Sequence, residues 1–162
     1  EPDAAYRKFE SVRLDELVLD VVAHHADMAH NKRIDLGVHE TEPLSVSGDA
    51  DGLRILLRNL MDNAIRHTPQ GGRIDASVLA RNGSIVVEVA DSGPGIPAEE
   101  RERVLDRFYR RPGNEAPGSG LGLAIVKTIA ERHGATVELA DAPGGGLVAR
   151  IVFRPVTGSE SA

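Results

Sequence analysis

The sequence predicts an α+β domain: a two-layer α/β sandwich in which one mixed, mostly antiparallel sheet carries about three main helices on one face. Three observations lead there. Apolar residues recur at helical spacing over three separate stretches, around Leu17, Leu57 and Ile125. Short runs rich in Ile, Val and Leu alternate with polar residues before, between and after those stretches. Two of the runs, Ile74–Leu79 and Ser84–Ala90, are joined by Arg81-Asn82-Gly83, and Asn-Gly between alternating runs marks an antiparallel hairpin.

The elements follow in order. Phe9, Val12 and Leu14 predict a short opening strand. Leu14, Leu17, Val18, Val21, Val22 and Ala26 predict one helix running to about Ala29, with Asp15 and Glu16 favourable in its first turn. Ile34–Val38 and Leu44–Val46 alternate as short strands. Asp49 or Asp51 is placed to cap the next helix, which buries Leu53, Leu56, Leu57, Leu60, Met61, Ala64 and Ile65. Thr68-Pro69-Gln70-Gly71-Gly72 ends it, with proline and glycine as breakers. After the hairpin, Pro97 followed by Glu99 and Glu100 opens a short helix that ends near Asp106. Residues 110–118 hold two prolines and two glycines and read as a mobile loop. Leu121, Ala124, Ile125 and Ile129 predict a helix to His133, with Gly134 as its C-terminal cap. Thr136–Leu139 and Leu147–Phe153 are the last strands, on either side of Pro143-Gly144-Gly145-Gly146.

A chain of 162 residues with 41% apolar content suffices for one domain with a full core. Its net charge of −6 argues against a general nucleic-acid binder, so no nucleic-acid partner is expected. Positive charge is local instead: Arg101, Arg103, Arg107, Arg110 and Arg111 crowd one segment. With no cysteine there is no disulfide, thiolate zinc site or thiol nucleophile, which suits a reducing cytosol. No apolar run approaches the ~18 residues needed to span a bilayer, and no signal peptide is visible. The polar start without an initiator methionine and the small polar tail 156–162 suggest the C-terminal part of a longer protein.

Three motifs carry chemistry. Asn59, Asn63 and His67 recur at i, i+4, i+8 on the second main helix, and Arg66 lies three after Asn63. They form a polar stripe opposite the leucines. Alone, such a stripe could be an ordinary solvated face. Asparagine is a mediocre helix former, however, and its neutral carbonyl suits Mg²⁺, which takes hard oxygens from one or two protein groups, phosphates and water. Asp91 follows the strand Val86-Val87-Glu88-Val89-Ala90 and precedes Gly93, Gly95 and Ile96. Asp-x-Gly alone is a common turn. Here a core strand delivers the carboxylate to a pocket edge, where an acceptor-only group selects adenine, whose exocyclic amine donates. Gly118-Ser119-Gly120-Leu121-Gly122 opens a helix, whose unpaired N–H groups and dipole attract anions, with Arg110 and Arg111 just before it. In this order the three motifs describe one ATP site. Among the histidines, only His67 is expected at the ligand. His24, His25, His30 and His39 are expected on the surface, and His133 at a helix end favoured by the dipole.

Those residues resemble the catalytic and ATP-binding domain of bacterial sensor histidine kinases, in the gyrase–Hsp90–histidine kinase–MutL superfamily, over about Leu14 to Phe153. Arg58–Arg66 is similar to the N box, Asp91–Ile96 to the G1 box, Arg107-Phe108-Tyr109-Arg110 to the F box and Gly118–Leu123 to the G2 box. The stretch from Arg107 to Gly113, followed by Gly118-Ser119-Gly120, most resembles QseC-type kinases. The resemblance implies a Bergerat ATP fold over residues 14–155. Residues 1–13 would end the linker from an upstream dimerisation and phosphoacceptor domain, and residues 109–120 would form the ATP lid.

On that resemblance Asn63 is the principal Mg²⁺ ligand with Asn59 close by, Asp91 bonds the adenine amine and Arg110 reaches phosphate. Arg66, His67, Gly93, Gly95, Ile96, Tyr109, Gly118, Ser119, Gly120, Leu121, Gly122 and Leu123 complete the nucleotide site. Arg66 stands where lysine is common, and His67 replaces the usual tyrosine. Gly144-Gly145-Gly146 lacks the threonine that follows in many relatives, so no ligand contact is assigned there. The acceptor histidine belongs to a His-Glu/Asp-x-x-x-Pro helix, a context that none of the six histidines has. The implied cofactors are ATP and Mg²⁺. The implied partners are the protein's own phosphoacceptor domain and an OmpR-like response regulator. The whole protein would be a homodimer in the bacterial inner membrane, with this chain its cytoplasmic domain and by itself a monomer.

Three alternatives stand beside this reading: a self-contained ATPase of the gyrase or Hsp90 kind, a serine kinase that holds a sigma factor, and a non-catalytic nucleotide-sensing module. The first needs a glutamate as general base on the N-box helix. Asn59 occupies the position one turn before Asn63 and accepts no proton at neutral pH.

Overall fold

The computed structural model describes residues 9–106 and 122–154. In chain order they form β1 (Glu10–Arg13), α1 (Leu14–His24), α2 (Ala26–Asn31), β2 (Asp35–Thr41), β3 (Ser45–Gly48) and α3 (Ala50–His67). There follow β4 (Arg73–Arg81), β5 (Ser84–Asp91), two 3₁₀ turns (Ala98–Glu100 and Arg103–Leu105), α4 (Gly122–Arg132), β6 (Ala135–Asp141) and β7 (Leu147–Phe153). Residues 1–8, the whole of the expected lid (109–120) and the tail (156–162) lie outside the described residues.

Five strands form the main sheet in the order β2-β4-β5-β7-β6. β2 runs parallel to β4 and every other pair is antiparallel, so the sheet is mixed as expected. β1 and β3 pair with each other in a separate two-stranded sheet. Asn82 and Gly83 both take positive φ (54° and 82°), the geometry of a tight hairpin turn matched to strand twist.

Alternation along β4 decides which way the sheet faces. Ile74, Ala76 and Val78 are buried, and they lie opposite Asp91, Val89 and Val87 of β5. Directly opposed residues share a face, and Ala149 and Ile151 of β7 continue the same row. Against it pack Leu14, Leu17, Val18 and Val21 of α1, the seven apolar residues expected of α3, and Leu123, Val126, Ile129 and Ala130 of α4. Each fully buried leucine here contributes about 2 kcal/mol, so α3 is held by its apolar stripe rather than by propensity. Asp91, at the end of β5, therefore emerges on the helix-bearing face.

Several expectations are corrected. The helix expected from Leu14 to Ala29 breaks at His25 (φ −98°, ψ 3°) into α1 and α2. His25 is not a surface residue but 2% exposed, and the turn carries its ring inward, where its nitrogens meet Val21 O and Asp62. The expected helix after Pro97 is two 3₁₀ turns, because Val104 is its one fully buried side chain and offers too little apolar stripe for a longer helix. Asp49 is the N-cap residue of α3, yet its side chain makes no capping bond; Oδ2 faces Arg132 at 3.3 Å. His133 is at a helix end, but not as a cation favoured by the dipole. Its Nδ1 donates to Ile129 O (2.8 Å), and its Nε2 accepts from the Asp49 N–H (3.0 Å), which requires the neutral ring.

Candidate functional site

α3 carries the first part of the site. Its leucines fill the core, and the opposite side leaves Asn59, Asn63, Arg66 and His67 half-buried. The Asn59 amide nitrogen donates to Ile55 O one turn back (2.8 Å), so its carbonyl oxygen is the outward group. That oxygen lies beside the first turn of α4: a Cβ built on Gly122 would stand 3.6 Å from it. The last turn of α3 is closed from α2. Lys32 Nζ donates to Ile65 O (2.8 Å) and Arg66 O (3.0 Å), placing a cation at the negative end of the helix.

Asp91 supplies the second part. Its Oδ1 accepts from the N–H of Gly93 (2.9 Å) and, more weakly, from the N–H of Leu147 (3.3 Å). Its Oδ2 takes no hydrogen bond from any described residue, although Asp91 is only 7% exposed. One oxygen thus fixes the carboxylate, and the other is unmet among the described residues. Burial pushes the Asp91 carboxyl up from the ordinary carboxylate range, while the Gly93 and Leu147 N–H groups pull it partway back.

Close backbone approach joins these parts. A Cβ on Gly93 would lie 2.7 Å from the His67 carbonyl oxygen and 3.1 Å from Asp91 Oδ1, so the loop after β5 presses on the end of α3. A Cβ on Gly146 (φ +103°) would fall onto the Asp91 carbonyl, and one on Gly95 would stand 3.3 Å from the Gly146 oxygen. Arg101 holds the loop from the other side, donating from Nε to Ile96 O (3.0 Å) and from its guanidinium to Asp141 (2.6 Å).

The structure therefore gathers Asn59, Asn63, Arg66 and His67 on α3, brings Asp91 and Gly93 to the end of that helix and Gly122 beside Asn59, and sets Gly95 against Gly146 and Ile96 against Arg101. Leu123 is a core residue, 7% exposed, and leaves only its backbone for a ligand. Tyr109, Arg110, Gly118, Ser119, Gly120 and Leu121 lie outside the described residues. Sequence reasoning missed the supports: Lys32, His25, Gly146 and the Leu147 N–H. The run of three glycines before β7 was a visible signal for Gly146, whereas a backbone donor such as Leu147 leaves none. The donor set suits a ligand-borne metal. Among the described residues no three His, Asp or Glu side chains converge, so protein groups alone build no divalent-cation cage. An asparagine oxygen together with phosphates gives the hard, partly neutral set that Mg²⁺ accepts.

Residues 48–157 match the family described as "Histidine kinase-, DNA gyrase B-, and HSP90-like ATPase". The chain is 38% identical over 156 residues to the sensor protein kinase PmrB of Pseudomonas aeruginosa, an alignment covering 96% of this chain and 32% of that protein. It is 41% identical over 139 residues to the sensor protein QseC of Escherichia coli K12, covering 85% and 29%. It thus spans about a third of the length of these relatives. Among solved structures, the nucleotide-free catalytic domain of the histidine kinase ThkA superposes with a TM-score of 0.79 at 28% identity, covering 91% of this chain and 97% of that one. ThkA has also been solved in complex with the response regulator TrrA.

Proposed function

Because the chain belongs to the histidine kinase-, DNA gyrase B- and HSP90-like ATPase family, we propose that it is the Mg-ATP-binding catalytic domain of a sensor histidine kinase. The observation that carries this reading is Asp91: one carboxylate oxygen is fixed by two backbone donors, and the other takes no hydrogen bond from a described residue. That carboxylate accepts from the adenine exocyclic group and rejects guanine, whose O6 would oppose it. Asn63 holds Mg²⁺, with Asn59 as the neighbouring amide oxygen. Arg66 and Arg110 contact phosphate, and the N–H groups at the start of α4, with residues 109–120 as a lid, cradle the triphosphate. Mg²⁺, when bound, neutralises the phosphate charge. The chain's own residues bind and orient the nucleotide.

The γ-phosphate passes to a histidine on a dimerisation domain outside this chain, and then to an aspartate of an OmpR-like response regulator. The whole protein is a homodimer of the bacterial inner membrane, with this domain on the cytoplasmic side. The position of Asn59 favours transfer over hydrolysis, since a self-contained ATPase needs a general base on α3 to activate water. Radiolabelled ATP decides between the two. The chain alone should neither label itself nor turn ATP over rapidly, because no acceptor imidazole is held in line with the γ-phosphate. Adding the upstream helical domain as a separate chain should restore acid-labile, base-stable label. Fast release of ADP by the chain alone would revive the ATPase reading.

A further inference from the structure

We propose that His25 is a positioning residue for the metal–nucleotide site: its imidazole ties α1 to α3 beside Asn63 and so sets the metal-dependent part of nucleotide affinity. This rests on the Mg-ATP reading above and adds a residue from a different element. His25 stands at the joint between α1 and α2, almost wholly buried. Its Nδ1 is 2.8 Å from Val21 O, and its Nε2 is 2.7 Å from Asp62 Oδ1. Each ring nitrogen thus meets an oxygen acceptor, the backbone of α1 on one side and a carboxylate of α3 on the other, so the buried ring bridges the two helices. Asp62 of α3 bonds the ring, His24 meets it edge-on with ring centroids 5.5 Å apart, and Arg58 of α3 stands 3.5 Å from His24 in turn.

Asp62 directly precedes Asn63 on α3. A helix moves as a rod, rising about 1.5 Å per residue, so a displacement at Asp62 is carried almost whole to Asn63. Mg²⁺ demands near-ideal octahedral geometry and tolerates little such displacement. The same α1–α2 arm grips α3 again through Lys32, on the carbonyls of Ile65 and Arg66, so the stretch between Asp62 and Arg66 is held from one side at two points. Adenine recognition lies elsewhere, on β5, where Asp91 is held by Gly93 and Leu147. Loss of the His25 link should therefore move the metal half of the site more than the adenine half, which meets α3 at the His67 carbonyl but is fixed by β5 and Leu147. A residue with a general stabilising role would weaken both alike.

The test is calorimetric titration of ADP into the whole chain, with Mg²⁺ and with EDTA, for wild type, His25→Phe, His25→Gln and Asp62→Asn. Thermal melts establish which variants are folded at the assay temperature. His25→Phe should lose about tenfold in affinity with Mg²⁺, equivalent to ~1.4 kcal/mol, and change less than about twofold in EDTA. His25→Gln keeps one donor, should fall between Phe and wild type, and is the measure if the Phe variant does not fold. Adding Asp62→Asn to His25→Gln should cost little more, since both changes break the same link. Equal losses with and without Mg²⁺, or an unchanged gain from Mg²⁺ in the folded variants, would overturn the role of His25 and leave the nucleotide reading standing. Wild-type protein that binds no ADP in either condition would overturn the nucleotide reading, and this inference with it.

Discussion

Replacing Asp91 with asparagine separates recognition from folding. In the native site Oδ1 accepts from Gly93 and Leu147, while Oδ2 is free of described partners. Asparagine keeps the two backbone bonds by placing its carbonyl where Oδ1 was, which puts its NH₂ where Oδ2 was. A donor then faces the adenine amine, also a donor. Losing a hydrogen bond to a charged acceptor costs about 1.5–3 kcal/mol, and leaving a buried donor unmet costs about 1–3 kcal/mol. The two are not additive, and about 3 kcal/mol, more than a hundredfold in Kd, is the expected loss. Stability should move the other way or not at all, because the substitution removes a charge whose burial already raises the Asp91 pKa. Calorimetry with Mg-ADP and a thermal melt on the same sample read both quantities. A variant that binds ADP within about threefold of wild type, a difference under ~0.7 kcal/mol, would refute the assignment of Oδ2 to adenine. A variant that unfolds would show that the Oδ1 bonds matter to folding more than their geometry suggests.

The raised pKa of Asp91 gives a pH prediction with a definite sign. The nucleotide-free protein gains stability from this group below the ordinary carboxylate range and loses it as pH rises through the raised value, whereas adenine needs the ionised form, so ADP affinity should fall as pH drops through the same window; titrations in which Asp91→Asn shows the same slope as wild type would assign the effect to another group. Asn63→Ala should weaken nucleotide binding with Mg²⁺ far more than in EDTA, and calorimetry showing equal losses would take Asn63 out of the metal role. Gly146→Ala should destabilise the fold by at least ~1–3 kcal/mol in urea unfolding, since its Cβ would fall onto the Asp91 carbonyl at a φ that L side chains avoid; an unchanged midpoint would mean the turn re-forms at no cost. Lys32→Met should cost about 1–2 kcal/mol by removing the cation from the last carbonyls of α3, and high salt should shrink the difference between variant and wild type.

Much of this protein is decided locally. The leucine stripe of α3 and the alternation in β4 and β5 place the same residues in the core as their spacing implies, because amphipathic period and element type are properties of a short stretch of chain. The asparagine stripe, the Asp-x-Gly after β5 and the Asn-Gly hairpin are legible for the same reason. Tertiary structure alone decided what pairs across long separations. Asp91 looks like a turn residue until the register of β4 and β5 turns it to the helix face, and Leu147, 56 residues away, supplies an N–H to its carboxylate. His25 looks like one polar residue in a helix. No local pattern marks it for burial, because what admits it to the interior is Asp62, 37 residues further on. His133 likewise takes its Nε2 hydrogen bond from the Asp49 N–H, 84 residues away, rather than from its own helix. A buried polar group is tolerated only where a partner meets it, and the chain can be read for the group but not for which distant atom folding will bring to it.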